Sequence, residues 1–323
     1  MLGVAARHLG RRWAAAGPAA APAVARGFGA AAAAGEPFGE QLLADEQAPP
    51  FGWVQHNKRP SKPRKTGLTE IRASYYTVIT PTYLRELLEA VGHAVDGLKF
   101  AGGSFSVHSR SSLRQLIDIA HEHGVYVSTG GWIEHVLTQA RGPEAVQPYL
   151  QECKQLGFDY VELSTGFISL PTQDLVRLVR DVKKAGLQPK PEVGIQFGAG
   201  SDSAAAELAA EGTLDASWAI RRAQACLDAG APIVMVESEG ITEDVASWRT
   251  DVVLRMVDAL GADRLMFEAA DPPVFSWYIK TLGASANLFV DHSQAMQLEC
   301  LRRGIWGTKS TWGRVLTYQP DNQ

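Results

Sequence analysis

Cysteine is scarce: Cys153, Cys226 and Cys300 are the only three, far apart, each within an apolar amphipathic segment. An odd, dispersed set excludes a disulfide framework, and none has a second Cys or a His near enough in sequence for a thiolate metal site. They read as reduced, buried structural residues. Long apolar runs are missing too. Beyond the Ala-rich N-terminus no stretch of about 18 residues escapes interruption by charge or Pro, so no membrane span is expected. Dense basic runs are absent from the periodic region and the formal net charge is −4, which argues against a nucleic-acid partner. Residues 1–35 contain neither an acidic residue nor a serine.

That first segment instead carries Arg7, Arg11, Arg12 and Arg26 among alanines. As a helix it places Leu2, Leu9 and Trp13 on one face and the arginines largely off it, a basic amphipathic pattern suited to import receptors. Arg26-Gly27-Phe28 resembles a processing site. A mitochondrial targeting peptide over 1–35 is the expectation, with chloroplast or cytoplasmic location as alternatives. Residues 36–66 hold Pro49, Pro50, Pro60 and Pro63 with five basic residues, a density that suggests a linker or wrapping arm.

From residue 67 short β-branched runs alternate with longer amphipathic segments. The runs are 67–72, 96–100, 125–128, 160–164, 190–195, 233–237, 264–268 and 287–291; helical patterns separate them, among them 147–156, 172–185 and 243–260. Helices end repeatedly at glycine: Gly124, Gly157, Gly186, Gly230, Gly261 and Gly283. Strict β-then-α alternation implies parallel strands with right-handed crossovers, and eight such units close into a barrel. An open doubly wound sheet is the alternative, but no G-x-G-x-x-G follows the first strand. The expected fold is a single (β/α)8 TIM barrel over 67–314, with a tail at 315–323.

Strand ends of such a barrel point into one cup. Glu162, Glu192, Glu237 and Glu268 sit within or at the ends of apolar strands, with Asp291 closing the eighth. Strand interiors deplete Glu. One buried Glu is ordinarily a satisfied structural group, whereas four at equivalent positions repel one another unless a cation intervenes. Oxygen ligands without His or Cys favour Mg²⁺. Lys99 and Arg72 are the matching cations at the ends of the second and first strands. Three glycine-bearing turns could approach a phosphate: Gly102-Gly103-Ser104, Ser128-Thr129-Gly130-Gly131 and Arg302-Arg303-Gly304-Ile305-Trp306-Gly307. Such turns are commonly only turns. His292, directly after Asp291, is the one histidine placed near the cup.

Gly97-Leu98-Lys99-Phe100, Thr129-Gly130-Gly131, the 152–158 run Glu-Cys-Lys-Gln-Leu-Gly-Phe, Pro191-Glu192-Val193-Gly194, Met266-Phe267-Glu268-Ala269 and Leu301-Arg302-Arg303-Gly304 resemble the phosphosulfolactate synthase family. The resemblance covers about 67–314, and 127–135, 194–200, 237–251 and 291–312 look closer still to the plant and algal heat-stress-associated branch. It implies a Mg²⁺-dependent barrel, a homo-oligomer, that adds sulfite to phosphoenolpyruvate. Where the family's enzymes carry a lysine proposed as the proton donor, this chain has Ile195-Gln196, and a neutral amide cannot deliver a proton. Lys190, two residues before Glu192 on the same strand face, and Lys99 are the candidate substitutes. Three functions follow: a carbon–sulfur lyase of this type, a lyase acting on another phosphorylated enol or keto acid, or a non-enzymatic heat-stress barrel acting through protein partners.

Overall fold

Eight short strands pair in parallel, in sequence order, and the eighth returns to the first: β1 (Thr69–Arg72), β2 (Gly97–Phe100), β3 (Tyr126–Thr129), β4 (Tyr160–Leu163), β5 (Gln188–Val193), β6 (Val234–Val236), β7 (Leu265–Glu268) and β8 (Asn287–Asp291). The computed structural model describes residues 50–73, 77–139, 141–196, 206, 215–269 and 271–318. Nine α-helices lie among them: α1 (Pro81–Val91), α2 (Arg110–Glu122), α3 (Trp132–Thr138), α4 (Val146–Leu156), α5 (Thr172–Lys184), α6 (Ser217–Asp228), α7 (Thr250–Leu260), α8 (Pro272–Leu282) and α9 (Ala295–Arg302). None is long and apolar enough to cross a membrane. The closed barrel excludes the open-sheet alternative.

The helices form where apolar residues recur at helical spacing. α5 buries Leu175, Leu178, Val179 and Val182 along one stripe and leaves its charged residues outside. It ends at Lys184, two residues before Gly186, and all six predicted terminal glycines have positive φ. Gly157 is the clearest case: at φ 102° its amide reaches back to the Cys153 and Lys154 carbonyls, satisfying the end of α4 in a conformation that strains any other residue. Two boundaries differ from expectation. α3 is an additional helix between β3 and β4, burying Ile133 and Val136. α7 begins at Thr250 rather than near Glu243, because the amides of Ile241, Thr242 and Glu243 all turn back onto the Ser238 carbonyl, closing a tight loop instead of a helical turn.

Two chain units separate, 1–54 and 55–323. Of the first, residues 50–54 are described and make a turn in which the Val54 amide donates to the Phe51 carbonyl. The targeting segment expected at 1–35 lies outside the described residues. Residues 55–66 are an arm rather than a linker, since they are bound to the amino-terminal end of the barrel. Asn57 donates to the Arg302 and Val315 carbonyls, Arg59 pairs with Glu299 at 3.1 Å, Lys62 donates to the Gly92 and His123 carbonyls, and Arg64 pairs with Asp96 at 2.9 Å.

Most of the apolar core lies between strands and helices. The barrel interior is filled by layers in which charge replaces hydrocarbon. Met235, Met266 and Phe289 supply an apolar part, while Glu70, Lys190 and Glu162 form a buried ionic layer beside them. Gly97 leaves room for the Tyr126 ring, which packs 4.7 Å from that of Tyr160.

Candidate active site at the carboxyl ends of the strands

Strand alternation brings every second residue inward. Glu162, Glu192, Glu237, Glu268 and Lys99 therefore converge from five strands or strand ends on one cavity of about 590 Å³. Lys99 stands among them. Its Nζ lies 2.9 Å from Glu162, 3.1 Å from Glu268 and 3.7 Å from Glu192, and 4.3 Å above the Phe289 ring. Burial pulls its pKa down, but the surrounding carboxylates outweigh that and hold the ammonium well above its usual range.

Glu192, Glu237 and Glu268 each turn an oxygen into one cluster with all three atoms within 4.8 Å of one another. These carboxylates do not share one titration state. Burial, then repulsion from Glu162, pushes Glu192 up to about 8. Burial and the neighbouring Glu268 and Glu192 push Glu237 well above the carboxylate range. At Glu268 burial also raises the pKa, yet Lys99 and a hydrogen bond shared with Glu237 hold it below normal. Carboxylates this close either share protons or accept a cation. The donor set, three hard oxygens with no nitrogen or sulfur, fits Mg²⁺.

Glu162 stands apart from that trio. Its two oxygens are divided between Lys99 and Lys190, the latter at 3.2 Å, so it anchors the lysines below the cluster. Lys190 is fully buried, paired with Glu70 at 2.6 Å, and does not line the cavity. As a proton donor to the cup it is displaced: the two-residue offset from Glu192 puts its ammonium into the layer beneath. Gln196 lines a smaller adjoining cavity of about 250 Å³.

Arg72, Gly102 and Gly131 line the main cavity. Gly130 lies where a Cβ would come within 2.5 Å of the Phe100 carbonyl and 2.7 Å of the Gly102 amide nitrogen, so the glycine lets two strand-to-helix turns touch. Gly103 likewise leaves space for the Trp132 ring. Thr129 serves the barrel instead, its hydroxyl accepting from the Glu162 amide at 3.0 Å. Arg302 and Gly304 are at the wrong end for substrate. Arg302 is fully buried and donates to the carbonyls of Leu68, Ala284 and Ala286, all preceding strands, while Gly304 caps the chain after α9 beside Asn57. A turn that follows a helix lies at the amino-terminal face, opposite the cup. His292 is buried against Tyr83, edge-to-face at 5.7 Å, and does not line the main cavity; Asp291 lines a separate smaller one with Arg72 and Glu268.

Several functional groups lie outside any strand-end pattern. Glu134 on α3 is buried and accepts from the Ser164 hydroxyl and the amides of Gly166, Phe167 and Ile168, fixing the loop after β4 against the cavity. Glu239 and Glu243 add two further carboxylates to its wall. Their signals are weak in sequence, because an acid on a helix or in a loop is normally solvated.

A closed parallel barrel with its carboxylates gathered at the strand carboxyl ends belongs to the large class of TIM-barrel enzymes and their relatives. Residues 57–308 match the family model for (2R)-phospho-3-sulfolactate synthase (ComA). The chain belongs to that family of lyases. It is 42% identical over 258 residues to Protein HEAT-STRESS-ASSOCIATED 32 of Arabidopsis thaliana, spanning 77% of this chain and 90% of that protein. It is 27% identical over 264 residues to the phosphosulfolactate synthase of Methanothermobacter thermautotrophicus, spanning 80% and 95%. Among solved structures, the carboxyl transferase domain of Rhizobium etli pyruvate carboxylase superposes with a TM-score of 0.51 at 13% identity, over 71% of this chain and 40% of that one. That likeness speaks for the fold alone.

Proposed function

We propose that the cup adds sulfite to phosphoenolpyruvate, forming phosphosulfolactate, with Mg²⁺ held by Glu192, Glu237 and Glu268. The observation that carries this reading is the cluster of three carboxylate oxygens within 4.8 Å beside the Lys99 ammonium. Membership of the synthase family and the name of the Methanothermobacter relative support it. The sulfur lone pair forms the C–S bond at the methylene carbon, the double-bond electrons move toward the carboxylate, and a proton is then added at the adjacent carbon. Mg²⁺ held by Glu192, Glu237 and Glu268 would offset the negative charge that builds up on the substrate carboxylate. Lys99 is the lysine lining the cavity among the described residues and holds the proton that the adjacent carbon takes. Turnover of phosphoenolpyruvate with sulfite and Mg²⁺ by the purified protein tests the reading. Lys99→Met should lower it by about 10²–10⁴-fold, and absence of phosphosulfolactate from the wild-type reaction rejects it.

A second reading rests on Gln196, the amide at the position where the resemblance places a lysine. In it the chain keeps its ligand cup but turns over a different phosphorylated enol or keto acid, or acts through protein partners in heat stress, as the name of the Arabidopsis relative suggests. Binding of phosphoenolpyruvate without sulfite-dependent turnover favours the first form. Failure to bind either Mg²⁺ or phosphoenolpyruvate favours the second.

A further inference from the structure

Arg222, on α6, is buried with no acid among the described residues to answer its charge. It is 2% exposed, and no ion pair among the described residues includes it, unlike the half-buried Arg59 and Arg64, each matched to a carboxylate. Nη1 donates to the Leu170 carbonyl at 2.9 Å and to the Thr172 hydroxyl at 3.2 Å, and Nη2 donates to the Thr165 hydroxyl at 3.3 Å. A guanidinium has five N–H donors. Three are used, the buried Nε has no partner, and one Nη2 hydrogen remains. Neutral dipoles alone leave a buried cation uncompensated, a costly state unless an anion completes it.

The side chain faces space an anion could enter. Arg222 lines the cavity of about 250 Å³ and stacks at 5.2 Å on the Trp218 ring. Glu192 and Glu237 line this cavity as well as the main one, so the two spaces adjoin at two of the three clustered carboxylates. Buried Arg302 is likewise held by three neutral acceptors with its Nε unpartnered, but Glu299 and Asp96 lie near enough to offset its charge and it lines neither space.

We propose that Arg222 and this second cavity form an oxyanion subsite that takes the phosphoryl group of a small phosphorylated acid whose other end lies at the carboxylate cluster. The identity of that acid rests on the reading given above; the subsite does not. A planar fork with two open N–H donors suits the oxygens of a phosphoryl group. Glu192 and Glu237, when ionised, repel such a group, and a divalent cation on them removes the repulsion. Cation and oxyanion should therefore strengthen each other's binding, reciprocally.

Calorimetric titration of the full chain with inorganic phosphate, with and without Mg²⁺, tests the subsite, and sulfite titrated separately tests the other oxyanion. Phosphate should bind wild-type protein more tightly with Mg²⁺ present, and Arg222→Gln should weaken it by about tenfold or more. Because Arg222 also braces the loop after β4, Ser169→Glu provides a second variant: this exposed residue lines the same cavity, and a carboxylate there should repel phosphate while leaving the fold intact. No phosphate binding by the wild type, or equal binding by folded Ser169→Glu, overturns the proposal. If sulfite rather than phosphate shows the loss, the phosphoryl assignment is overturned. No turnover enters these titrations, so phosphate binding lost in both variants upholds the subsite even if sulfite addition fails, and turnover without such binding retains the reaction and rejects the subsite.

Discussion

Lys99 sets the charge of the cup, touching three carboxylates that no other lysine among the described residues reaches together. Its removal should leave those acids mutually repelling. We expect Lys99→Met to cost about 3 kcal/mol, the scale of breaking a buried pair, and Mg²⁺ to restore part of the loss; chemical denaturation with and without the ion checks both. Glu192 carries a pH dependence of defined sign. Its folded value of about 8 lies above the ordinary 4.5, so the stability it contributes is present at low pH and lost as pH rises through about 8. Without divalent cations the melting temperature should fall between about pH 4.5 and about pH 8, and Glu192→Gln should flatten that fall. A fall of equal slope in the variant would assign it to another group. Mg²⁺ competes with the same protons, so its stabilising shift should grow over this range and shrink in Glu237→Gln. At this scale the four strand glutamates and Lys99 were legible, because acids at alternate positions of apolar strands oppose β preference. Glu134 and Arg222 were not, since nothing in a helix's local pattern says that a charged residue will be covered by a loop.

Turns between elements decide how the cup is walled. Gly130 has no room for a side chain because the atoms it meets are backbone, the Phe100 carbonyl and the Gly102 amide nitrogen. We expect Gly130→Ala to cost about 1–3 kcal/mol by overpacking, read as a shift in denaturation midpoint with unchanged slope. A neutral result would mean that the two turns separate easily. Element order and helix ends were readable from periodicity and terminal glycines. The late start of α7 was not: Thr242 followed by Glu243 has the composition of a helix start, but the Ser238 carbonyl captures the amides that a first turn would leave open. Arg302 and Gly304 show a different failure. The alternation itself held the signal, because a turn that follows α9 must lie at the face where strands begin.

At the scale of the molecule, the amino-terminal end is sealed by the arm of residues 55–66, whose basic residues meet Glu299, Asp96 and backbone carbonyls. Arg59→Met should lower stability by about 3 kcal/mol or somewhat less, because Glu299 keeps Arg303 at 2.7 Å; metal and phosphate binding at the opposite end should not change. We also propose that residues 1–35 are a mitochondrial address. A reporter fused to residues 1–40 should enter mitochondria, and a diffuse cytosolic or plastid signal rejects the proposal. By itself the sequence determined the eight-fold alternation, the closed parallel barrel and the inward face of each strand, because these follow from local periods of 2 and 3.6 residues and from short connections. Only the tertiary structure decided which charges compensate which. Lys99 and Lys190 are both inward-facing lysines at strand positions; closure of the barrel puts one in the cup and the other among Glu70 and Glu162 beneath it. Among the described residues the same packing brings no carboxylate to Arg222. Electrostatic partners depend on distances of a few ångströms between strands far apart in the chain, and those distances exist only once the barrel has closed.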